Sequence, residues 1–171
     1  VPDHSDLDLI SDHTVMFWVR VDSWPGDYYF KILSKNSYGV SSGYIVNYMQ
    51  DGTLRWDWYP TNNFTSQGAI GIQQWHHVAV TYDGTTRTIY LDGIPDDSVA
   101  SGPSTVNSDD VAMGKQLGAP PDAWTLDGTL DEVVIYGRAL SEGEVVDYTA
   151  TLLAVDEDDD GWSAAAGDCY D

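Results

Sequence analysis

Positive charge is scarce in this sequence. Seven Lys and Arg stand against 28 Asp and Glu, for a formal net charge of −21. So few cations cannot neutralise a row of phosphates, which excludes a nucleic-acid partner. The same sign is repelled by anionic membrane surfaces, and no apolar run approaches the ~20 residues of a membrane span. Only one cysteine is present, Cys169. It excludes an internal disulfide, and any partner lies outside this chain. No secretory leader opens the sequence; a start at Val1 is expected of a mature or excised piece of a longer protein. Catalytic patterns are missing as well. There is no G-x-S-x-G, no phosphate loop and no E-x-D-x-E, and Glu142-Gly143-Glu144 falls in a helical stretch. The two neighbouring histidines, His76 and His77, point to opposite faces of any strand and so do not converge on one ion. The expectation is a protein that is not an enzyme.

Aromatic residues are abundant, with 7 Trp, 11 Tyr and 3 Phe. They suit strands that are half buried and half wet. Val15, Phe17, Val19 and Val21 alternate along His13 to Val21 and make one apolar face. Further strands are expected at Tyr28 to Ser34, Tyr44 to Met49, Thr53 to Tyr59, Trp75 to Tyr82, Thr86 to Asp92 and Leu130 to Tyr136. Asp51-Gly52, Asp83-Gly84, Asp92-Gly93 and Asp127-Gly128 punctuate them as turns. Many short strands at this spacing imply a sandwich or barrel. One helix is expected near the end, capped by Ser141 with Glu144 three residues on, and with Val145, Tyr148 and Leu152 on one face. Composition then shifts to an acidic run, so a boundary is drawn near 153: a domain over 1–153 and an acidic linker over 154–171.

The run Trp75-His76-His77-Val78-Ala79-Val80-Thr81-Tyr82-Asp83-Gly84, with Thr88-Ile89-Tyr90-Leu91-Asp92-Gly93 after it, resembles the signature hairpin of laminin G-like, concanavalin A-like domains. Leu126 to Tyr136 resembles their final strand, and Arg138-Ala139-Leu140-Ser141 the entry to their closing helix. Ser11 to Val21 and Ile32-Leu33-Ser34-Lys35 fit in the same order, so the resemblance spans about residues 1–150. It implies an all-β, two-layer antiparallel jelly-roll β-sandwich with a short C-terminal helix. It also implies a strand ahead of Val1-Pro2-Asp3, which a trimmed chain lacks or a neighbouring copy supplies. The fold hosts lectins, adhesins, hydrolases and structural modules alike, so by itself it does not fix function.

Two groups of acids are candidate metal ligands. Asp156, Asp158 and Asp160, with Gly161 and the Trp162 carbonyl, follow the spacing of a calcium loop. Hard carboxylate and carbonyl oxygens suit Ca2+. Position 12 of the loop is Gly167, so the segment is not an EF-hand. It resembles instead the D-x-D-x-D-G…G-D-C-x-D repeat of bacterial surface proteins, in which Asp168, with Asp171 a further candidate, completes the shell. The fold resemblance implies a second calcium site at Asp131, with Asp127 beside it. For each group a purely electrostatic or solvated role is the alternative reading.

Sugar binding uses aromatic faces for stacking and polar groups for hydroxyls. On the fourth expected strand Leu54, Trp56 and Trp58 share one face, read as core. Arg55, Asp57 and Tyr59 share the other, read as the candidate ligand surface. Trp24, Tyr28, Tyr29 and Trp124 lie in or near loops and are candidates for a loop-end site. The reading that follows is an extracellular or cell-surface module, bacterial in type, that depends on calcium and binds a glycan or glycoprotein. That module serves recognition or adhesion. The alternative is a structural or filament subunit of a bacterial surface appendage, assembled with neighbouring copies of itself by strand complementation and calcium, and a polysaccharide-active enzyme is the third.

Overall fold

A computed structural model describes residues 1–24, 26, 28–59, 62–120 and 123–153. Among them are ten strands and one α-helix. The strands are β1 (His13–Val21), β2 (Tyr29–Lys35), β3 (Tyr44–Met49), β4 (Thr53–Trp58), β5 (Asn62–Ala69), β6 (Trp75–Tyr82), β7 (Thr86–Leu91), β8 (Ile94–Ala100), β9 (Ala112–Met113) and β10 (Gly128–Tyr136). The helix α1 spans Glu142–Leu153. Two five-stranded antiparallel sheets stack on each other. The first has the order β10-β1-β6-β7-β8, the second β5-β4-β3-β2-β9.

The alternating residues of β1 explain the packing. Val15, Phe17, Val19 and Val21 point between the sheets. They meet Tyr44, Val46 and Tyr48 of β3 and Leu54, Trp56 and Trp58 of β4 in one continuous core. The expectation that Trp56 and Trp58 are core is met. The other face of β1 is also dry: Met16 is fully buried with Ala79, Tyr90, Leu140 and Val145. That contact is made by α1, which covers the outer face of the first sheet. Its entry is the expected capping box. The Glu144 amide donates to Ser141 Oγ (3.4 Å), and the Ser141 amide donates to the Glu144 carboxylate (2.9 Å).

The β6–β7 hairpin pairs Val78 with Leu91 and Tyr82 with Arg87. The next turn, Asp92-Gly93, joins β7 to β8 with both residues at positive φ (51° and 79°). This is the type I′ geometry that the right-handed twist of paired strands favours. His77 faces α1, where its Nδ1 meets Thr149 Oγ1 at 2.8 Å. His76 faces away and meets Asp92 at 2.8 Å. They point to opposite faces, as adjacent positions in a strand require.

Three strands escape the sequence reading: β5, β8 and β9. All three lie at sheet edges. β5 reads Asn-Asn-Phe-Thr-Ser-Gln-Gly-Ala and buries only Phe64 and Ser66 among its described side chains. β8 carries Pro95, Asp96 and Asp97, which suit an edge and discourage further pairing. The Asp96 carboxylate accepts from the Gln67 and Gly68 amides (2.6 and 2.7 Å), tying the two edges together. At the opposite edge the Val1 ammonium donates to Val111 O (2.7 Å), and the Val111 amide donates to Val1 O (2.9 Å). Buried Lys35 holds this opening segment down through Asp3 (2.6 Å) and Asp8 (3.0 Å).

Candidate functional site

With α1 over the first sheet, the outer face of the second sheet is the polar one. Its register makes a grid. Lys31 of β2 stands opposite Asn47 of β3, Asn47 opposite Arg55 of β4, and Arg55 opposite Thr65 of β5. One row along, Asp57 stands between Ile45 and Asn63. Residues in register on one face sit within reach of each other across strands.

The polar groups are interlocked. Arg55 grips Asp57 with two nitrogens, Nε at 2.8 Å and an Nη at 2.9 Å. Asn47 Nδ2 donates to Asp57 Oδ2 (2.9 Å) and to the Arg55 carbonyl (3.3 Å). Among the described residues no donor reaches Asn47 Oδ1, which is buried. Asp57 and Arg55 therefore point outward as expected, but Asp57 is buried beneath its partners and is not an open contact. Its role is to fix Arg55.

Above the grid lies an aromatic wall. Thr125 bridges to Lys31 at the edge of β2, and the Lys31 amide donates to Trp124 O (2.8 Å). Trp124 has φ = 56°, a left-handed backbone that a bulky side chain rarely adopts. This turn sets the indole between Tyr29 and Tyr38, with ring centroids 5.7 and 5.6 Å away. Lys31 Nζ sits 4.4 Å from the Tyr29 ring centre and 5.6 Å from that of Trp124. The Arg55 guanidinium lies 5.5 Å from the same Tyr29 ring. Burial lowers the Lys31 ammonium to about 8, and nearby Arg55 adds to the shift while Asp57 opposes it. Burial, then the Asp57 charge, pushes the Tyr59 phenol up.

The structure thus joins Arg55, Asp57 and Tyr59 to Trp124 and Tyr29, which the sequence reading had placed in two separate sites. It leaves Trp24 and Tyr28 outside. Trp24, 47% exposed, stacks on Tyr48 at 5.8 Å; Tyr28 is 79% exposed and follows the loop. Among the described ring contacts, those of Trp124 are with Tyr29 and Tyr38. Lys31 and Tyr38 were missed. Lys31 has one sequence signal: it shares a strand face with Tyr29 at i+2.

The acids proposed for calcium separate into two cases. Asp127 accepts from Ser23 Oγ (2.5 Å), and Asp131 accepts from the Glu132 amide (2.7 Å). Among the described residues no three His, Cys, Asp or Glu side chains converge as a metal site. Asp156, Asp158, Asp160, Trp162 and Asp168 lie outside the described residues.

A sequence profile of the concanavalin A-like lectin/glucanases superfamily matches residues 1–146. No curated protein matches the sequence. Solved structures match the fold. The binding domain of Paraclostridial Mosquitocidal Protein 1 aligns with TM-score 0.73 and 19% identity, over 95% of this chain and 42% of that one. A carbohydrate-binding module of family 40 from a Ruminococcus gnavus sialidase, bound to α2,3-sialyllactose, aligns with TM-score 0.67 and 14% identity, over 84% of this chain and 85% of that one. A candidate carbohydrate-binding protein from Bacteroides ovatus aligns with TM-score 0.66 and 20% identity, over 81% of this chain. The chain spans 40% of that protein's length, and 22% of the Trypanosoma rangeli sialidase it also matches.

Proposed function

The chain belongs to the concanavalin A-like lectin/glucanases superfamily, and from that premise we propose that it is a non-catalytic module that binds a glycan on the outer face of its second sheet. One observation carries the reading. Trp124 is held in a left-handed backbone so that its indole stands beside Tyr29 and Tyr38, over a polar grid already fixed in place. Backbone strain of this kind persists where surrounding structure imposes it, and it clusters at ligand sites. Flat aromatic faces beside fixed amide and guanidinium groups are what a sugar ring requires. The partly exposed Arg55 guanidinium is positioned to donate to a hydroxyl, with Tyr59 bordering the site, while fully buried Asn47 fixes the grid from beneath.

The fold neighbours support the class of ligand, since one is a carbohydrate-binding module with a bound sialylated sugar. No helix among the described residues is long and apolar enough to cross a membrane. We place the module outside the cell, where glycans are displayed, and assign Ca2+ to the acidic tail through Asp156, Asp158, Asp160, the Trp162 carbonyl and Asp168. In this reading calcium neutralises carboxylates that repel one another. A glycan array probed with the intact chain and with Trp124→Gly tests the reading. Binding by the first and loss in the second is the expected result. Equal binding by both would move the site elsewhere.

A further inference from the structure

We propose that this face selects sugars bearing an anionic substituent, a ring carboxylate or a sulfate ester, and that Lys31 together with Arg55 receives it. The inference rests on the glycan-binding reading and adds the ligand's charge to it.

The first observation is a nearly buried cation with no direct acceptor among the described residues. Lys31 is 4% exposed, and among the described residues no carboxylate or carbonyl accepts from its Nζ. Its neighbours are the faces of Tyr29 and Trp124. Burying an ammonium without an acceptor disfavours the fold, and ring faces return only part of what water gave. The second observation is a like charge on the same ring. Arg55 lies 5.5 Å from the Tyr29 ring that Lys31 covers at 4.4 Å. The nearby counter-charge, Asp57, is engaged by Arg55 and Asn47. One acid therefore answers two bases.

The third observation is the contrast with the rest of the molecule. Two of seven basic residues meet here, in a chain of formal charge −21. Elsewhere the surface repels anions, so an acidic sugar is steered away from other faces and held at this one. A neutral sugar reaches the rings and the Arg55 edge but leaves Lys31 unpaired. A carboxylate or sulfate accepts from Lys31 Nζ and from the Arg55 guanidinium edge, which supplies the missing charge. Charge-assisted hydrogen bonds of this kind are the strong ones.

The test is calorimetric titration of the full chain with matched pairs. Sialyllactose against lactose probes the carboxylate, and a galactose-6-sulfate disaccharide against its unsulfated parent probes the sulfate. The acidic member is expected to bind about tenfold to a hundredfold tighter, the scale of one or two charge-assisted hydrogen bonds. Lys31→Met, which keeps the apolar stem, closes that gap, and Lys31→Arg preserves it. Thermal melts of each variant verify that it folds. A gap confined to one kind of pair supports the proposal and identifies the group. Equal binding of both members, with binding abolished by Trp124→Gly, overturns the charge inference and leaves the glycan site standing. A gap that survives Lys31→Met overturns it too. No binding of any pair overturns the glycan reading itself.

Discussion

Lys31 and the two buried histidines are the residues where chemistry and folding pull apart. The Lys31 ammonium is lowered to about 8 by burial, so at neutral pH the native state carries a charge it solvates poorly. The unfolded chain keeps the ordinary lysine pKa, so the fold gains stability as pH rises from about 8 toward 10.5. Lys31→Met removes the conflict and is expected to raise unfolding free energy by about 1–3 kcal/mol in urea titration. A loss of stability would show that the ammonium has a partner worth more than its burial. His13 and His77 work in the acidic range, both lowered to about 4, chiefly by burial. Each uses Nδ1, against Ser11 O and Thr149 Oγ1, while its buried Nε2 has no hydrogen-bond partner among the described residues. Above pH 6.5 both states are neutral there and nothing is lost. Between 6.5 and 4 the unfolded chain takes up protons that the native rings refuse, so stability falls, by up to about 3 kcal/mol per ring. Acid titration of the unfolding free energy is expected to decline over that window, and to decline less steeply in His77→Gln.

Elements were legible wherever one face is continuously apolar and strongly buried. The alternation of β1 and the Asp-Gly turns announce the sandwich, because strands of a core must present one apolar face. β5, β8 and β9 were not: β5 is polar and buries little, β8 carries a proline and two acids that deter pairing, and β9 is two residues long. The site divides in the same way. Arg55, Asp57 and Tyr59 follow from alternation within β4 alone. Lys31 needs the order β4-β3-β2, and Trp124 is brought in from far along the chain by a turn that no local pattern signals. Two predictions belong at this level. Ser141→Ala removes the cap that the Glu144 amide uses and is expected to cost about 1 kcal/mol, read from the urea midpoint. Trp124→Gly relieves a left-handed backbone strain of about 1–2 kcal/mol while deleting the ring contacts. It is expected to leave the melting temperature within a few degrees and to abolish sugar binding. A cooperative loss of the whole fold would instead make Trp124 a structural pillar.

At the scale of the molecule, charge and sheet asymmetry set the behaviour. A formal charge of −21 makes the compact state repel itself. Raising salt from 0.15 to 1 M shortens the screening length from about 8 to about 3 Å, so the melting temperature is expected to rise with NaCl. A flat or falling response would mean that attractive ion pairs outweigh the repulsion. The two sheets differ in what covers them. α1 closes the first, and the second keeps a polar face walled by Trp124, Tyr29 and Tyr38. The measurement that tests this division most directly is a two-dimensional amide NMR titration of the full chain with sialyllactose. Shifts are expected to concentrate at Lys31, Asn47, Arg55, Tyr59 and Trp124, with the amides of α1 and of Trp24 unmoved. Shifts centred on Trp24 and Tyr28, or on the helix face, would contradict it and move the binding site off the second sheet.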